Sequence, residues 1–105
     1  MQTITPEGLK LKLDAGESPM LLDVREAWEF EIAHIEGSTN ISMSNVQQIL
    51  DALKIEDEIV VICHHGIRSF QIGRFLENNG YKQIINLEGG VDAWAESVDT
   101  GMEKY

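Results

Sequence analysis

The chain has few of the features that mark disulfide-rich, membrane or secreted proteins. It contains one cysteine in 105 residues, which excludes an intramolecular disulfide and any multi-cysteine zinc or iron–sulfur site. No uncharged apolar run reaches the length that a membrane-spanning helix needs. The first residues lack the basic start and apolar stretch of a signal peptide, so we expect a cytoplasmic protein that binds no membrane.

Basic residues are also scarce. Eight Lys and Arg stand against eighteen Asp and Glu, which gives a formal net charge of −10 at pH 7. This balance disfavours nucleic acid as a partner, because phosphates would be repelled. The remaining composition, 43% apolar and 25% charged, is that of an ordinary globular protein. A chain of this length supports one hydrophobic core, so we expect residues 1–105 to form a single domain.

The sequence does contain apolar runs that alternate between strand and helix spacing. Short runs predict buried strands at residues 20–24, 59–62 and 84–87, and a turn-rich segment, 34–42, predicts a loop entering another short strand. Capping residues and helical spacing predict helices that begin after Thr5, at Ala27, after Ser44, after Ser69 and at Val91. Strands separated by helices predict an α/β fold with a small, mainly parallel sheet and helices on both faces.

One predicted loop carries the residues best suited to chemistry. It follows the strongest strand signal and contains Cys63, Gly66 and Arg68. Open α/β sheets bind ligands beyond the carboxyl ends of their strands, and a tight loop before a helix turns its N–H groups inward as an anion-binding nest. Gly66 allows the positive φ that such a curl needs. In that field a thiolate is favoured over a thiol, so we expect Cys63 to be a nucleophile near neutral pH.

The distribution of charge supports a small anionic substrate. Residues 59–76 contain two arginines and two histidines but no acid, so this segment predicts one locally positive mouth on an acidic protein. The alternative is that Cys63 is an inert buried residue, since cysteine is among the most buried residue types. The combination of cysteine, glycine and arginine between a strand and a helix favours a functional site.

The loop resembles the active-site loop of the rhodanese sulfurtransferases, which reads Cys, two variable residues, Gly, one variable residue, often Arg, and Ser or Thr. Its residues here are Cys63, His64, His65, Gly66, Ile67, Arg68 and Ser69. Residues 22–30 with 33–41, and residues 87–94, are similar to the N-terminal and C-terminal signatures of the family. The resemblance spans nearly the whole chain in the right order, and it implies a rhodanese-like fold.

The resemblance implies that Cys63 attacks the outer sulfur of thiosulfate, releases sulfite and holds a persulfide, which passes its sulfur to cyanide or a thiol. Arg68 and the loop amides would bind the sulfonate oxygens and the persulfide, so His64, His65, Gly66, Ile67 and Ser69 are candidate substrate-binding residues. Asp23 would support the loop through hydrogen bonds, or alternatively cap the next helix. This chemistry needs no metal ion and no organic cofactor.

Several other polar residues have a structural interpretation. His64 and His65 would assist protonation of the leaving group or simply face solvent. His34 is expected to be a hydrogen-bonded structural histidine. Arg25 and Glu26 are expected to form a structural ion pair.

Two alternatives remain beside a thiosulfate sulfurtransferase. Cysteine-dependent phosphatases and arsenate reductases use a similar cradle, but they place five residues between cysteine and arginine, whereas four separate Cys63 from Arg68 here. The other alternative is a relay module that exchanges sulfur with a sulfur-accepting partner protein. Both sulfur-transfer hypotheses need the same loop, so the sequence does not separate them.

Overall fold

The predicted strands form the centre of a five-stranded sheet in which every neighbouring pair is parallel. A computed structural model of the chain describes residues 1–105. Its strands are β1 (Gln2–Ile4), β2 (Met20–Asp23), β3 (Thr39–Asn40), β4 (Glu58–Ile62) and β5 (Gln83–Leu87). Its helices are α1 (Pro6–Asp14), α2 (Ala27–Ile32), α3 (Val46–Ala52), α4 (Ile67–Asn78) and α5 (Gly90–Ser97).

The strand order is β1-β5-β4-β2-β3, so β4 lies at the centre with β2 and β5 on either side. Side chains of β4 alternate between the two faces of the sheet. Ile59 and Val61 pack with residues of α3 and α4, whereas Val60 and Ile62 pack with residues of α1 and α5. The sheet therefore has a hydrophobic core and helices on both faces, as predicted.

Most of the predicted elements are confirmed, and the first helix shows why. Thr5 accepts a hydrogen bond from the Gly8 N–H through its side chain, 3.0 Å, and Pro6 occupies the first helical position. The edge strand β1 was not predicted, because it has only three residues and is largely exposed. None of the helices is long and apolar enough to cross a membrane.

The helix caps differ from the prediction at two places. The α3 helix begins after Asn45, and Ser44 instead contacts the hydroxyl of Ser42 at 2.9 Å. The α4 helix begins two residues before the predicted cap Ser69, at Ile67. Serine favours caps, but Ser69 lies within α4 and its side chain is fully buried.

Candidate active site

Cys63 follows β4 directly, at the carboxyl end of the central strand. The residue is buried, with 1% of its surface exposed, so a substrate must reach the sulfur from the side on which the following loop opens. Two polar groups contact its Sγ atom: the Gly66 N–H donates a hydrogen bond at 3.0 Å, and the Ser69 Oγ lies 3.3 Å away. The Gly66 N–H is thus a donor aimed at the sulfur, placed where it would stabilise negative charge on that atom.

Gly66 is the residue that lets the loop turn back on the sulfur. Its φ is +100°, in the left-handed region that glycine tolerates best, and it caps α4. A Cβ atom here would lie only 3.3 Å from the Gly89 N atom of the neighbouring turn. The predicted positive φ is confirmed, and Gly66 occupies the cap position that the sequence assigned to Ser69.

Ser69 is buried and faces the site instead of capping the helix. Its hydroxyl donates a hydrogen bond of 2.5 Å to the Asn86 Oδ1, and the Asn86 side-chain amide donates to the Gly66 carbonyl at 3.2 Å. A serine hydroxyl has one proton, so while it is given to Asn86 the Ser69 oxygen acts toward Cys63 as an acceptor. Ser69 and Asn86 therefore form one hydrogen-bonded chain that joins the Cys63 sulfur to the Gly66 carbonyl.

A second turn, from β5 into α5, holds the loop from the other side. The Val91 N–H donates to the Cys63 carbonyl at 2.8 Å, and the Asp92 N–H donates to the His64 carbonyl at 3.1 Å. A Cβ atom on Gly90 would overlap both of these carbonyl groups, so only glycine permits this close approach. The backbone of Cys63 and His64 is therefore held both by β4, which it follows, and by the turn after β5.

The loop leaves several N–H groups without a backbone acceptor, as expected at the start of a helix. These groups belong to His64, His65, Ile67, Arg68 and Ser69. Four of these residues, together with Cys63, line an open pocket of about 270 Å³: His64, His65, Ile67 and Arg68. The pocket is large enough for a small anion, and free backbone donors beside such a space are what an oxyanion-binding site requires.

Arg68 makes a bidentate ion pair at the rim of this pocket. Two of its nitrogens donate to the two carboxylate oxygens of Glu29, each at 2.8 Å. The arginine side chain is 33% exposed and that of Glu29 only 5%. Hydrogen bonds from Arg68 lower the pKa of Glu29 despite its burial. The Glu26 N–H, at 2.9 Å, and the Tyr105 hydroxyl donate to the same carboxylate and lower its pKa further, to about 2.

This ion pair changes the charge expected at the mouth. Residues 59–76 contain no acid, but the fold brings Glu29 from α2 and Asp92 from α5 beside them. The site is therefore less positive than the sequence of the loop alone predicts. Its remaining attraction for an anion comes from free N–H groups and from the N–H groups of Arg68 that Glu29 does not use.

The two histidines of the loop lie side by side. Their rings stack with centroids 4.0 Å apart, and the ring of Tyr105 stacks on His64 at 4.1 Å. Burial, together with the neighbouring charge of His65, lowers the pKa of His64, so its ring is neutral at neutral pH. His65 is exposed, and its Nε2 atom lies 3.9 Å from an Asp92 oxygen.

Asp23 lies under the site but makes no hydrogen bond to the cysteine loop. Its carboxylate binds the Arg25 guanidinium, 2.7 Å at the closest, and the Arg25 N–H at 3.0 Å. It does not cap α2 either, because Glu26 occupies that cap position. The predicted ion pair between Arg25 and Glu26 is wrong, because the Arg25 side chain turns inward and is fully buried against Asp23.

Most of the chain matches a known protein family. The model of the rhodanese-like domain matches residues 5–97. The chain belongs to the rhodanese-like domain family. This confirms the resemblance found in the sequence, and the parallel sheet with helices on both faces is the rhodanese-like fold.

Curated relatives of this rhodanese-like domain include sulfurtransferases and a sulfur carrier. "Putative sulfur carrier protein YrkF" of Bacillus subtilis is 41% identical over 87% of this chain, which spans 49% of that protein, about half its length. "Putative sulfurtransferase YtwF" of Bacillus subtilis is 34% identical, with 90% of each chain covered. "Thiosulfate sulfurtransferase GlpE" of Shewanella oneidensis is 28% identical over 83% of this chain and 86% of that protein.

Solved structures of rhodanese-like proteins superpose closely on this one. SSP1007 of Staphylococcus saprophyticus gives a TM-score of 0.85 at 31% identity, with 99% of this chain and 100% of that chain covered. A rhodanese-like domain protein of Staphylococcus aureus gives 0.83 at 31% identity, covering 90% and 91%. The similarity therefore extends over the whole fold.

Three residues of the rhodanese-like site were missed in the sequence. Asn86 had a signal, since it is the one polar residue in the apolar run 84–87. Glu29 and Tyr105 had none that points to this loop, because nothing in their own segments shows that they contact Arg68 or His64. Their positions follow only from the packing of α2 and of the C-terminal segment against the ends of the strands.

Proposed function

We propose that this chain is a thiosulfate sulfurtransferase, in which Cys63 carries the transferred sulfur as a persulfide. The observation that supports this most directly is the Gly66 N–H aimed at the Cys63 sulfur, next to a pocket whose lining residues include four with free backbone N–H groups. Membership of a family whose relatives include a thiosulfate sulfurtransferase supports thiosulfate as the donor.

In the first half-reaction the Cys63 thiolate attacks the outer sulfur of thiosulfate. A new sulfur–sulfur bond forms as the bond within thiosulfate breaks, and sulfite leaves with the bonding electron pair. The N–H groups of Arg68 that are not bound to Glu29 stabilise the negative charge that develops on sulfite. The outer sulfur of the persulfide then occupies the pocket, surrounded by the loop N–H groups.

In the second half-reaction cyanide or a thiolate attacks the outer sulfur of the persulfide. The sulfur–sulfur bond breaks and Cys63 returns as the thiolate. Splitting one transfer into two displacements is ordinary covalent catalysis, and it needs no group beyond the residues described.

The proposal is tested by the intact mass of the protein after incubation with thiosulfate. We expect the mass to increase by one sulfur atom and cyanide to remove it. Because Cys63 is the only cysteine, the variant Cys63→Ser is a complete thiol-free control and should show neither change. Wild-type protein that never acquires the added mass at high thiosulfate concentration would overturn thiosulfate as the donor.

A protein acceptor is a second candidate, and one surface feature favours it. Next to the loop, α4 exposes Phe70, 47% of whose surface is accessible, and α2 exposes Trp28. Exposed aromatic residues beside a reactive thiol suit a partner larger than cyanide. The relative described as a sulfur carrier also favours this candidate.

The two acceptors are separated by measuring sulfur transfer from persulfidated protein to cyanide and to reduced thioredoxin. If a protein docks here, Phe70→Ser should slow transfer to thioredoxin severalfold and leave transfer to cyanide unchanged. Leu11→Ser is the matched control, since Leu11 is an exposed apolar residue on α1, at 71%. Equal rates for Phe70→Ser and wild type with both acceptors would remove this surface from the reaction.

A further inference from the structure

His64 and His65 are the two histidines whose ring nitrogens make no hydrogen bond. The third histidine, His34, donates a hydrogen bond from Nδ1 to the Phe30 carbonyl, 2.8 Å away, and so has the structural role expected of it. Stacking covers the faces of the His64 ring and leaves the nitrogens at its edge free. The ring nitrogens of both histidines are therefore available to a ligand.

Asp92 brings a carboxylate to the same place. It lies in the first turn of α5, and its N–H donates to the His64 carbonyl at 3.1 Å, which fixes the distance between the two backbones. One ring nitrogen of each histidine and one carboxylate oxygen of Asp92 all lie within 4.8 Å of one another. Three potential ligands from two separate segments therefore converge on one point.

We propose that His64, His65 and Asp92 bind a divalent transition-metal ion of the Zn²⁺ type at the rim of the Cys63 pocket. Two imidazoles and a carboxylate are ligands that zinc, nickel and copper accept, and three protein ligands leave one coordination position open. Ligands about 2.1 Å from a tetrahedral ion lie roughly 3.4 Å apart, so rotation of exposed side chains closes the present gaps. The His65 side chain, which is exposed, has this freedom.

Two carboxylates near this point, those of Asp92 and Glu96, attract a cation. The ammonium group of Lys104 already lies 3.7 Å from the second oxygen of Asp92 and 2.7 Å from Glu96. It shows that positive charge is accommodated beside Asp92, and it competes with a metal ion for that carboxylate. Lys104 is half-exposed and keeps Glu96 as a partner, so it can move away from Asp92 without losing every contact.

Occupation of the site would restrict the entrance to Cys63, because His64 and His65 line the same pocket as the cysteine. A bound ion would therefore slow persulfide formation. Only this inhibition rests on the proposed sulfur transfer; binding of the ion is measured independently of it.

Binding is tested by titrating ZnCl₂ into the apoprotein in a calorimeter, with wild type and Cys63→Ser side by side. We expect one ion per chain in both proteins. Asp92→Asn and His65→Ala should each weaken binding at least tenfold, and Lys104→Ala should strengthen it severalfold. His34→Ala and Asp99→Asn are matched controls away from the three ligands and should change nothing.

Nuclear magnetic resonance gives a readout that needs no variant. Zinc should shift the imidazole signals of His64 and His65 and leave those of His34 in place. Absence of binding to wild type, loss of binding in Cys63→Ser, or an equal effect on all three histidines would each overturn the proposal. Loss in Cys63→Ser would mean that the thiol itself is the ligand.

The inhibition is tested by following the mass of the persulfide with time. Zinc should slow its formation at least tenfold in wild type and much less in Asp92→Asn, and a chelator should restore the rate. If zinc binds as described but sulfur loading is unchanged, the site is retained and its control of the pocket is wrong. If no persulfide forms even without zinc, the proposed function fails while the calorimetry still decides the metal site.

Discussion

Arg25 and Arg68 lie on two sides of Glu29 and use their guanidinium groups in opposite ways. Arg25 is fully buried, and all five of its side-chain N–H groups have acceptors. Arg68 is one-third exposed and donates only to the Glu29 carboxylate. A saturated arginine has nothing left for a substrate, whereas Arg68 keeps three N–H groups free. All side-chain donors of Arg25 therefore serve the fold, whereas Arg68 has donors left for a ligand.

The difference predicts a larger loss of stability for Arg25 than for Arg68. Arg25→Met should lower the free energy of unfolding by about 3 to 5 kcal/mol, since it leaves the buried Asp23 carboxylate unpaired. Arg68→Met removes the arginine partner of Glu29, but the Glu26 N–H and the Tyr105 hydroxyl still donate to that carboxylate, so the loss should be smaller, about 1 to 3 kcal/mol. Urea denaturation of both variants measures this.

The double variant Asp23→Leu with Arg25→Met tests whether the loss of stability in Arg25→Met comes from the unpaired Asp23 charge. Because it removes both partners, it should be more stable than Arg25→Met alone. Equal losses for Arg25→Met and Arg68→Met would mean that the two arginines do not differ as described.

The carboxylate between the two arginines predicts a pH dependence of stability. The pKa of Glu29 is lowered from 4.5 to about 2 in the folded protein, so the unfolded chain binds its proton at higher pH. Its contribution is fully present above pH 4.5 and is lost as the pH falls toward 2. This loss is at most roughly 3 kcal/mol.

Glu29→Gln separates this group from the other carboxylates. The variant should be less stable than wild type at pH 7, and the difference should shrink as the pH approaches 2. The free energy of unfolding from pH 7 to pH 2 measures it. A difference between the two proteins that stays constant over this range would contradict the assignment to Glu29.

The sequence pattern predicted those parts of the site that depend on residues adjacent in the chain. The strand β4, the cysteine at its end and the positive φ of Gly66 all follow from residues 59–66. The partners of Arg25 and Arg68 could not be predicted in this way. Asp23 competes with Glu26 for Arg25, and only the burial of β2 decides between them. Likewise, the Ser69 hydroxyl satisfies a distant amide, Asn86, which helix-capping preference does not take into account.

The length of the cysteine loop offers a sharper test of the functional region. A glycine inserted between Ile67 and Arg68 should depress sulfur transfer by about a hundredfold, because small misplacements of a positioned site have effects of this size. The insertion falls in the first turn of α4, so it separates the Gly66 N–H from Ser69 and Arg68. The measured quantity is the rate of thiocyanate formation from thiosulfate and cyanide.

A glycine inserted next to Gly16 is the control, since Gly16 has a positive φ and a Cβ atom built on it would meet nothing within 4 Å. It should leave the rate unchanged. Hydrolysis of an aryl phosphate, measured in parallel, should be negligible in wild type, because the loop is one residue shorter than in the phosphatases. Phosphatase activity comparable to sulfur transfer would show that loop length does not set the reaction class.

The smallest effect is expected at Arg68, where the functional region overlaps the structural one. Arg68→Ala should weaken thiosulfate binding by about 1 to 3 kcal/mol, the range for a lost charge-assisted hydrogen bond, and the KM for thiosulfate reports it. Glu29→Gln should shift the same KM in the opposite direction, because the carboxylate withholds two N–H groups of Arg68 and repels the anion. In the double variant the effect of Glu29→Gln should disappear, since it acts through Arg68. An unchanged KM in Arg68→Ala would mean that Arg68, like Arg25, contributes only to the stability of the fold.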